Sequence, residues 1–139
     1  MSIKEIQDEI VDEFAMFDDW MQRYEYIIDL GKGLPLVDEQ YKTEDNIIKG
    51  CQSKVWLHAE MNGDKVVFTA DSDAILTKGI IAILIRTFSN QKAADILEAD
   101  TQFIDEIGLK EHLSPTRANG LVSMIKKIKM YALAFNAKN

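Results

Sequence analysis

The residue best suited to chemistry in this sequence is its only cysteine, Cys51, which lies in the polar stretch "KGCQSK". Buried cysteines are usually inert and sit among apolar side chains, whereas the neighbours here are Gly50, Gln52 and Ser53. A lysine stands at each end of the stretch, and cationic neighbours favour the thiolate over the thiol. The pattern therefore predicts an approachable, nucleophilic thiol on a loop.

A single thiol restricts the chemistry that the chain can perform. It forms no internal disulfide, and no CxxC pair is present in the sequence. A structural zinc site and an iron–sulfur cluster each need about four ligands, which one cysteine and two distant histidines do not supply. What remains is thiol exchange, in which a thiolate takes a sulfur atom from a partner, holds it as a persulfide and passes it on.

The two histidines leave a second kind of chemistry open. A cysteine hydrolase needs a base near its thiol, most often a histidine. His58 lies on a predicted strand and is expected to point away from the loop, which leaves His112 as the candidate base. A small hydrolase that uses Cys51 and His112 is therefore one alternative. A non-catalytic interaction domain with an inert thiol is another.

The composition indicates one soluble globular domain over residues 1–139. The chain is 47% hydrophobic and 28% charged, a balance that can bury a core without disulfides or metal. Its net charge of -7 argues against nucleic acid as a partner, because a phosphate backbone would repel it. The N-terminus lacks the features of a secretory signal, and the apolar run "GIIAILI" is too short to span a membrane. We interpret the protein as cytoplasmic, without a membrane partner.

The first part of the chain predicts two amphipathic helices and a connection. Apolar residues recur there at spacings of three and four: Ile3, Ile6, Ile10, Phe14 and Phe17. Asp18 or Asp19 is suited to cap a second helix, which continues the apolar face to a stop at Gly31. Residues 32–46 contain Gly, Pro and many charges, and they predict an irregular connection.

The loop that carries Cys51 is predicted to lie between strands of a small sheet. In "SKVWLHAEM" the apolar residues of one face alternate with Trp56 and His58 on the other. The following "NGD" is a hairpin turn signal, and "KVVFTA" pairs back as the second arm. The short "NIIK" before the cysteine is expected to add a third strand, which would place Cys51 on a connection within one sheet.

Four further helices are predicted after the hairpin. The run "ILTKGIIAILIRTF" indicates a helix that is buried nearly all round. The predicted N-caps are polar residues that precede helical runs. Asp71, Ser72 or Asp73 would cap this buried helix, and Ser89 or Asn90 would cap the helix in "QKAADILEA". Ser114 would cap the last helix, with Pro115 at its first position. A short helix through "TQFIDEI" ends at Gly108. Along the chain, helices come before and after a small antiparallel sheet, and this order defines an α+β domain.

Three blocks of the sequence resemble the signature blocks of the SufE family, the sulfur-acceptor proteins of iron–sulfur cluster assembly. They are "IIKGCQSKVWL", "DSDAILTKGIIAIL" and "HLSPTRANGLVSMI", in the order of that family and at about its chain length. The resemblance covers nearly the whole chain. It implies an α+β fold in which a small curved antiparallel sheet of about three strands is flanked by helices, similar to cluster scaffolds of the IscU type.

The resemblance also implies an activity and its partners. A cysteine desulfurase similar to SufS would take sulfur from free cysteine and hand it to Cys51, and this chain would stimulate that enzyme. The persulfide would then pass to an iron–sulfur scaffold complex similar to SufBCD. The pyridoxal phosphate of the reaction belongs to the desulfurase, so no cofactor is implied for this chain. Such a protein is a transpersulfidation accessory rather than a stand-alone enzyme, and its apolar surface is compatible with a homodimer.

Residues around the loop receive roles from the same resemblance. Asp73 falls beside the cysteine loop and the desulfurase contact, where its alternative role is a plain helix cap. Arg117 would brace the loop or meet the partner, and its alternative is a solvated cation of the first helical turn. The implied loop formers and partner-contact candidates next to the thiol are Gly50, Gln52 and Ser53, and Trp56 would pack beneath the loop.

A persulfide carrier must shelter its thiol at rest, because a persulfide in water is lost to reductants or oxidised further. We therefore expect Cys51 to be covered in the isolated protein, with Trp56 and the helix beginning near Asp73 as the cover. Burial would raise the pKa of the thiol and slow its alkylation. Gly50 supplies the backbone freedom that lets the loop extend toward a partner.

Overall fold

The computed structural model describes residues 1–138, in which helices lie before and after a small antiparallel sheet. The elements are α1 (Ile3–Ala15), α2 (Trp20–Gly31), two 3₁₀ turns (Glu39–Tyr41 and Glu44–Asn46), β1 (Val55–Asn62), β2 (Lys65–Ser72), α3 (Ile75–Phe88), β3 (Gln91–Lys92), α4 (Ala93–Glu98), α5 (Gln102–Glu106), α6 (Leu109–His112) and α7 (Pro115–Ala137). This order confirms the predicted α+β class with three strands. No helix within residues 1–138 is both long enough and apolar enough to cross a membrane.

The predicted hairpin forms the larger part of the sheet. Strands β1 and β2 pair along their whole length, from Val55 opposite Ser72 to Asn62 opposite Lys65. The turn consists of Gly63 and Asp64, because Asn62 is still paired with Lys65, and Gly63 takes the left-handed conformation with φ +66°. The sequence therefore predicted this hairpin and its turn correctly.

The third strand is not the one that the sequence predicted. It is Gln91–Lys92, which pairs with Lys65 and Val66 of β2. The stretch "NIIK" contributes only an isolated bridge, between Ile47 and Trp56. A two-residue strand has no periodicity of its own and forms only by pairing with a distant segment, so the local pattern could not reveal it.

Helix α3 is buried nearly all round, as its apolar sequence predicts, and it packs against α2, β2, α7 and α1. Its closest approach is to α2, where an ideal Cβ at Gly79 would lie 2.1 Å from the Ile27 carbonyl oxygen. Gly31, predicted to stop α2, is instead the last residue of that helix. An ideal Cβ at Gly31 would lie 2.9 Å from the Gly79 nitrogen, so these glycines allow two helices to pack closely.

Two of the predicted helix caps are confirmed. The Asp19 side chain accepts a hydrogen bond from the Gln22 N–H at 2.8 Å at the start of α2. The Ser114 side chain accepts from the Arg117 N–H at 3.3 Å at the start of α7, and Pro115 occupies the first helical position. In both cases the capping signal is local, and no tertiary contact overrides it.

The caps predicted for α3 and α4 are wrong. The N-cap of α3 is Ala74 and that of α4 is Lys92, and neither accepts a side-chain capping bond. Ser89 instead accepts a hydrogen bond from the Phe68 N–H at 2.9 Å, which ties the end of α3 to β2. Asn90 follows with φ +64° in a tight turn. Polar side chains next to a sheet edge are thus used for tertiary bonds rather than caps.

The connection between α2 and β1 covers the outer face of the sheet. Tyr41 stacks on His58 with ring centroids 3.7 Å apart. Lys42 pairs with Asp71 at 2.8 Å and lies over the Trp56 ring at 5.4 Å. The alternation predicted for β1 is confirmed, because Trp56 and His58 face this connection while the intervening residues face the core.

Candidate functional site

The cysteine loop, residues 49–54, is a short connection closed at its base. The Ile48 N–H donates a hydrogen bond to the Val55 carbonyl at 2.8 Å, directly before β1 begins. Gly50 has φ +96°, a conformation that side chains disfavour, so glycine is required immediately before the thiol. Cys51 follows and is partly buried.

The Cys51 thiol lies at a small cavity between the loop and two helices. The cavity measures about 20 Å³ and is lined by side chains from the loop, from α3 and from α7: Cys51, Gln52, Ser53, Thr77, Ile80, Thr116, Arg117, Gly120 and Met124. A water molecule needs roughly 10–15 Å³ by this measure, so the cavity has room for one further atom of about that size. The Cys51 Sγ–H donates to the Gly120 carbonyl at 3.7 Å.

Burial decides the protonation state of this thiol at rest. Removal from water raises the pKa of Cys51 above that of an ordinary cysteine, because the charged thiolate is the form that burial penalises. The lysines at the ends of the stretch, Lys49 and Lys54, are exposed and do not offset this effect. The expectation that these cations favour a thiolate is thus opposed by burial in the resting protein, and it stays a prediction that a pH profile of alkylation tests.

The cover over the thiol was predicted only in part. Thr77 and Ile80 belong to the helix that begins near Asp73, as expected, and both are buried. Trp56 does not line the cavity, because the alternation of β1 turns it to the outer face of the sheet. The other side of the cavity is formed by α7, of which the sequence assigned only Arg117 to the site.

Three residues of α7 that line the cavity were not indicated by the sequence, namely Thr116, Gly120 and Met124, and the last two are buried. A signal was available in "TRANGLVSM", where a glycine stands inside an otherwise regular helix. Glycine in that position weakens a helix, so its presence often marks a close approach by another part of the molecule. The sequence shows such an approach but not its partner, which here lies 69 residues earlier in the chain.

Asp73 holds the end of the cysteine loop instead of capping α3. Its carboxylate accepts a hydrogen bond from the Lys54 N–H at 3.1 Å, and its own N–H donates to the Lys54 carbonyl at 3.2 Å. The Ser72 hydroxyl donates to the same carbonyl at 2.9 Å. Lys54 is thus fixed by three hydrogen bonds to the stretch between β2 and α3.

Arg117 and Gln52 lie at the mouth of the cavity, and both are exposed. Within residues 1–138 the Arg117 guanidinium makes no ion pair, and the Arg117 backbone N–H donates a hydrogen bond to the Ser114 side chain. Ser53 is partly buried and lines the cavity beside Cys51. The structure therefore brings the candidate site residues of three sequence blocks together around one thiol.

Neither histidine is placed as a base for the thiol. The His112 ring stacks on Trp20 with centroids 3.9 Å apart, and its Nδ1 lies 3.0 Å from the Gly108 carbonyl oxygen. His58 is stacked on the outer face of the sheet. The lining of the Cys51 cavity includes no histidine in the described part of the chain. The cysteine–histidine pair of a hydrolase is thus not assembled.

Metal ligands are not gathered at this site either. Across residues 1–138, no group of three or more His, Cys, Asp and Glu side chains is arranged to hold a metal ion. The expectation that the protein purifies without stoichiometric metal stays a prediction for elemental analysis.

Comparison with known proteins gives the family of this chain and its fold. A family model described as "Fe-S metabolism associated domain" and named SufE matches residues 8–132. A SufE-like protein of Rhizobium meliloti (strain 1021), described as uncharacterized, is 44% identical over 130 residues, which cover 90% of this chain and 93% of the relative. SufE-like protein 1, chloroplastic/mitochondrial, of Arabidopsis thaliana is 38% identical over 131 residues, which cover 94% of this chain and 35% of that protein.

A solved structure shares the architecture at lower sequence identity. The solution structure of a hypothetical protein from Thermus thermophilus superposes with a TM-score of 0.77 at 18% identity, covering 93% of this chain and 94% of the other. This likeness concerns the fold alone. The family model spans most of the chain and the relatives match it along nearly its whole length, so the chain belongs to the SufE family, a domain associated with Fe–S metabolism.

Proposed function

We propose that this protein accepts a sulfur atom from a cysteine desulfurase as a persulfide on Cys51, stimulates that enzyme, and passes the sulfur to an iron–sulfur cluster scaffold. The observation that carries the proposal is a lone thiol on a short loop, held against a cavity with room for about one more atom. Membership of the SufE family supports the same reading, because that domain is associated with Fe–S metabolism.

The transfer step balances without an added oxidant. Cys51 first loses its proton to solvent, and its thiolate attacks the outer sulfur of a persulfide, R–S–SH, on the desulfurase. The bond between the two donor sulfurs breaks, the donor cysteine leaves as a thiolate, and Cys51 becomes Cys51–S–SH. A second exchange of the same kind passes the outer sulfur to an acceptor thiolate. The pyridoxal phosphate that frees sulfur from cysteine belongs to the desulfurase, and this chain uses no cofactor of its own.

The resting geometry requires the loop to open before this step. Burial raises the pKa of Cys51, so the sheltered thiol is a poor nucleophile. A partner that prefers the open loop would shift the equilibrium between the two states and so couple reactivity to binding. The closed state would in turn protect the loaded persulfide from reductants.

The anchors of the loop limit how far the thiol can travel. Ile48 and Lys54 are fixed by backbone hydrogen bonds, which leaves residues 49–53 free to move. At about 3.3–3.6 Å per residue, an arm of three residues carries Cys51 no more than roughly 10 Å from the end of the sheet. The donor sulfur must therefore come close to this surface, where Asp73 and Arg117 would contact the partner. We propose that this exchange takes place in the cytoplasm, where thiols are kept reduced.

The test is intact mass spectrometry after incubation with a desulfurase and cysteine. We expect the chain to gain the mass of one sulfur atom, the gain to disappear on reduction, and Cys51→Ser to gain none while keeping its fold. Stimulation of the desulfurase by folded Cys51→Ser would contradict the transfer mechanism. His112→Ala separates the hydrolase alternative, because a carrier keeps its sulfur acceptance in this variant and a hydrolase loses its activity. A wild-type chain that gains no sulfur would favour the non-catalytic interaction domain.

A further inference from the structure

The cysteine loop and α7 lie so close together that two glycines, one on each, have no room for an added Cβ. An ideal Cβ at Gly120 would lie 3.2 Å from the Cys51 Sγ and 3.6 Å from its Cα. One turn further along α7, the Ser123 Oγ would lie 2.6 Å from an ideal Cβ at Gly50 of the loop. The loop therefore contacts α7 at two successive positions of one face, and at each of them the contact depends on the absence of a Cβ.

Few other interactions hold the middle of the loop. Among the hydrogen bonds within residues 1–138, residues 49–53 take part only in the one from the Cys51 Sγ–H to the Gly120 carbonyl. A thiol is a weak donor, and a distance of 3.7 Å makes this bond weaker than a backbone hydrogen bond. The closed position of the loop consequently depends on shape, that is, on how closely its backbone and thiol fit against α7.

We propose that Gly120 and Ser123 form a loop seat that holds Cys51 in its sheltered state, and that Gly120 is a positioning residue which sets how often the loop opens. The inference rests on the proposed function, in which the open loop receives sulfur and the closed loop protects it. Gly120 does not touch the donor or the reacting sulfur in the open state. It acts through the position of Cys51.

The seat acts on only one of the two states of the loop. A Cβ added at Gly120 would lie 3.2 Å from the Cys51 Sγ of the closed loop, closer than an ordinary contact, so Cys51 must shift for the loop to stay closed. In the proposed open state the loop has left α7, and the added side chain no longer opposes it. Such a change raises the population of the open state without altering the chemistry of the thiol itself. The variant should therefore imitate, in the free protein, the release that a bound partner would cause.

The experiment compares alkylation of Cys51 by iodoacetamide in variants of the full chain at one fixed pH. We expect Gly120→Ala to react about tenfold faster than wild type, the shift that an overpacking penalty in the usual range produces, and Gly120→Val faster still. Gly33→Ala is the matched control, because the nearest atom to its added Cβ is 3.7 Å away and belongs to Leu30. Its rate should equal that of wild type.

A second readout follows the persulfide rather than the thiol. After loading by a desulfurase, dithiothreitol removes the outer sulfur as hydrogen sulfide, leaves the Cys51 thiol and becomes a cyclic disulfide. We expect Gly120→Ala to lose its sulfur faster than wild type, because the open loop exposes the persulfide. Thermal unfolding of each variant checks that faster reaction does not come from loss of the fold, and the alanine variant alone decides the question if the valine variant unfolds.

The possible results distinguish the loop seat from the proposed function. Equal alkylation rates for folded Gly120→Ala and wild type would overturn the seat, even if the wild type accepts sulfur at Cys51. Faster alkylation of Gly120→Ala would support the seat, even if the wild type gained no sulfur and the proposed function failed.

Discussion

Two helices of this protein carry an internal glycine at a point of close approach, and the two glycines face different kinds of partner. At Gly79 in α3, an ideal Cβ would lie 2.1 Å from the Ile27 carbonyl oxygen of α2. At Gly120 in α7, it would lie 3.2 Å from the sulfur of Cys51. One glycine meets the backbone of a helix in the core, and the other meets a side chain on a short loop.

The difference separates a structural contact from a functional one. The backbone of α2 cannot move without its whole helix, so the contact at Gly79 joins two elements of the core. The cysteine loop can move at small cost, since residues 49–53 bury little surface and are held by one weak hydrogen bond in the described structure. A glycine that supports a rigid contact should therefore affect stability, whereas one that supports a movable loop should affect reactivity.

The largest effect is expected for Gly79→Ala. The added Cβ collides with the Ile27 carbonyl, and α2 and α3 must shift apart in the centre of the core. Overpacking at such a site should lower the free energy of unfolding by about 3 kcal/mol, measured by urea denaturation. Gly33→Ala serves as the control, because its added Cβ makes only ordinary contacts. A Gly79→Ala protein as stable as wild type would show that the contact between α2 and α3 is not rigid, and the contrast with Gly120 would fail.

A smaller loss is expected when the loop anchor is removed. In Asp73→Ala the Lys54 N–H loses its side-chain acceptor, which should cost about 1 kcal/mol of stability and speed Cys51 alkylation modestly. Asp73→Asn keeps an oxygen in the same place and should resemble wild type in both measurements. If Cys51 is alkylated faster in Asp73→Ala than in Gly120→Ala, the anchor at Asp73 rather than the loop seat controls how exposed the thiol is.

Gly120→Ala should change stability least of the three substitutions. Alanine favours a helix interior over glycine by up to about 1 kcal/mol, and this gain offsets part of the cost of displacing Cys51 from α7. We therefore expect a free energy of unfolding within about 1 kcal/mol of wild type, together with the faster alkylation described above. A loss of stability as large as that of Gly79→Ala would show that the loop is part of the core.

The elements predicted correctly from the sequence are those whose signals are local. Asp19 and Ser114 cap the helices that follow them, and the turn at Gly63 joins β1 to β2 because its backbone preference needs no distant partner. The polar neighbours of Cys51 similarly predicted that it lies on a loop. Each of these features is decided by residues within a few positions of one another.

The features that were missed depend on contacts between distant segments. β3 exists only because Gln91 and Lys92 pair with β2, and Ser89 and Asp73 give up capping for bonds to β2 and to the cysteine loop. The contact between Gly120 and Cys51 is of the same kind. Side-chain types show what a residue is able to do, but the tertiary neighbour decides which of these roles it takes.

The smallest expected effect is on the pH dependence of Cys51 alkylation. This measurement decides which of two opposing influences on the pKa of the thiol is larger. Burial against α7 raises its pKa, whereas the lysines that flank the loop would lower it. The stability that the buried thiol contributes is fully present below the pKa of the unfolded chain and is lost as the pH rises through the higher pKa of the folded protein.

In a pH profile of the alkylation rate, we expect the midpoint of wild type to lie above that of the same chain unfolded in urea. The unfolded midpoint should be about 8.5. Gly120→Ala should move the midpoint down toward the unfolded value, because its loop spends more time in water. A wild-type midpoint at or below that of the unfolded chain would mean that the flanking charges outweigh burial. In that case the contact with Gly120 would not shelter the thiol, and the difference between the two glycines would be one of packing alone.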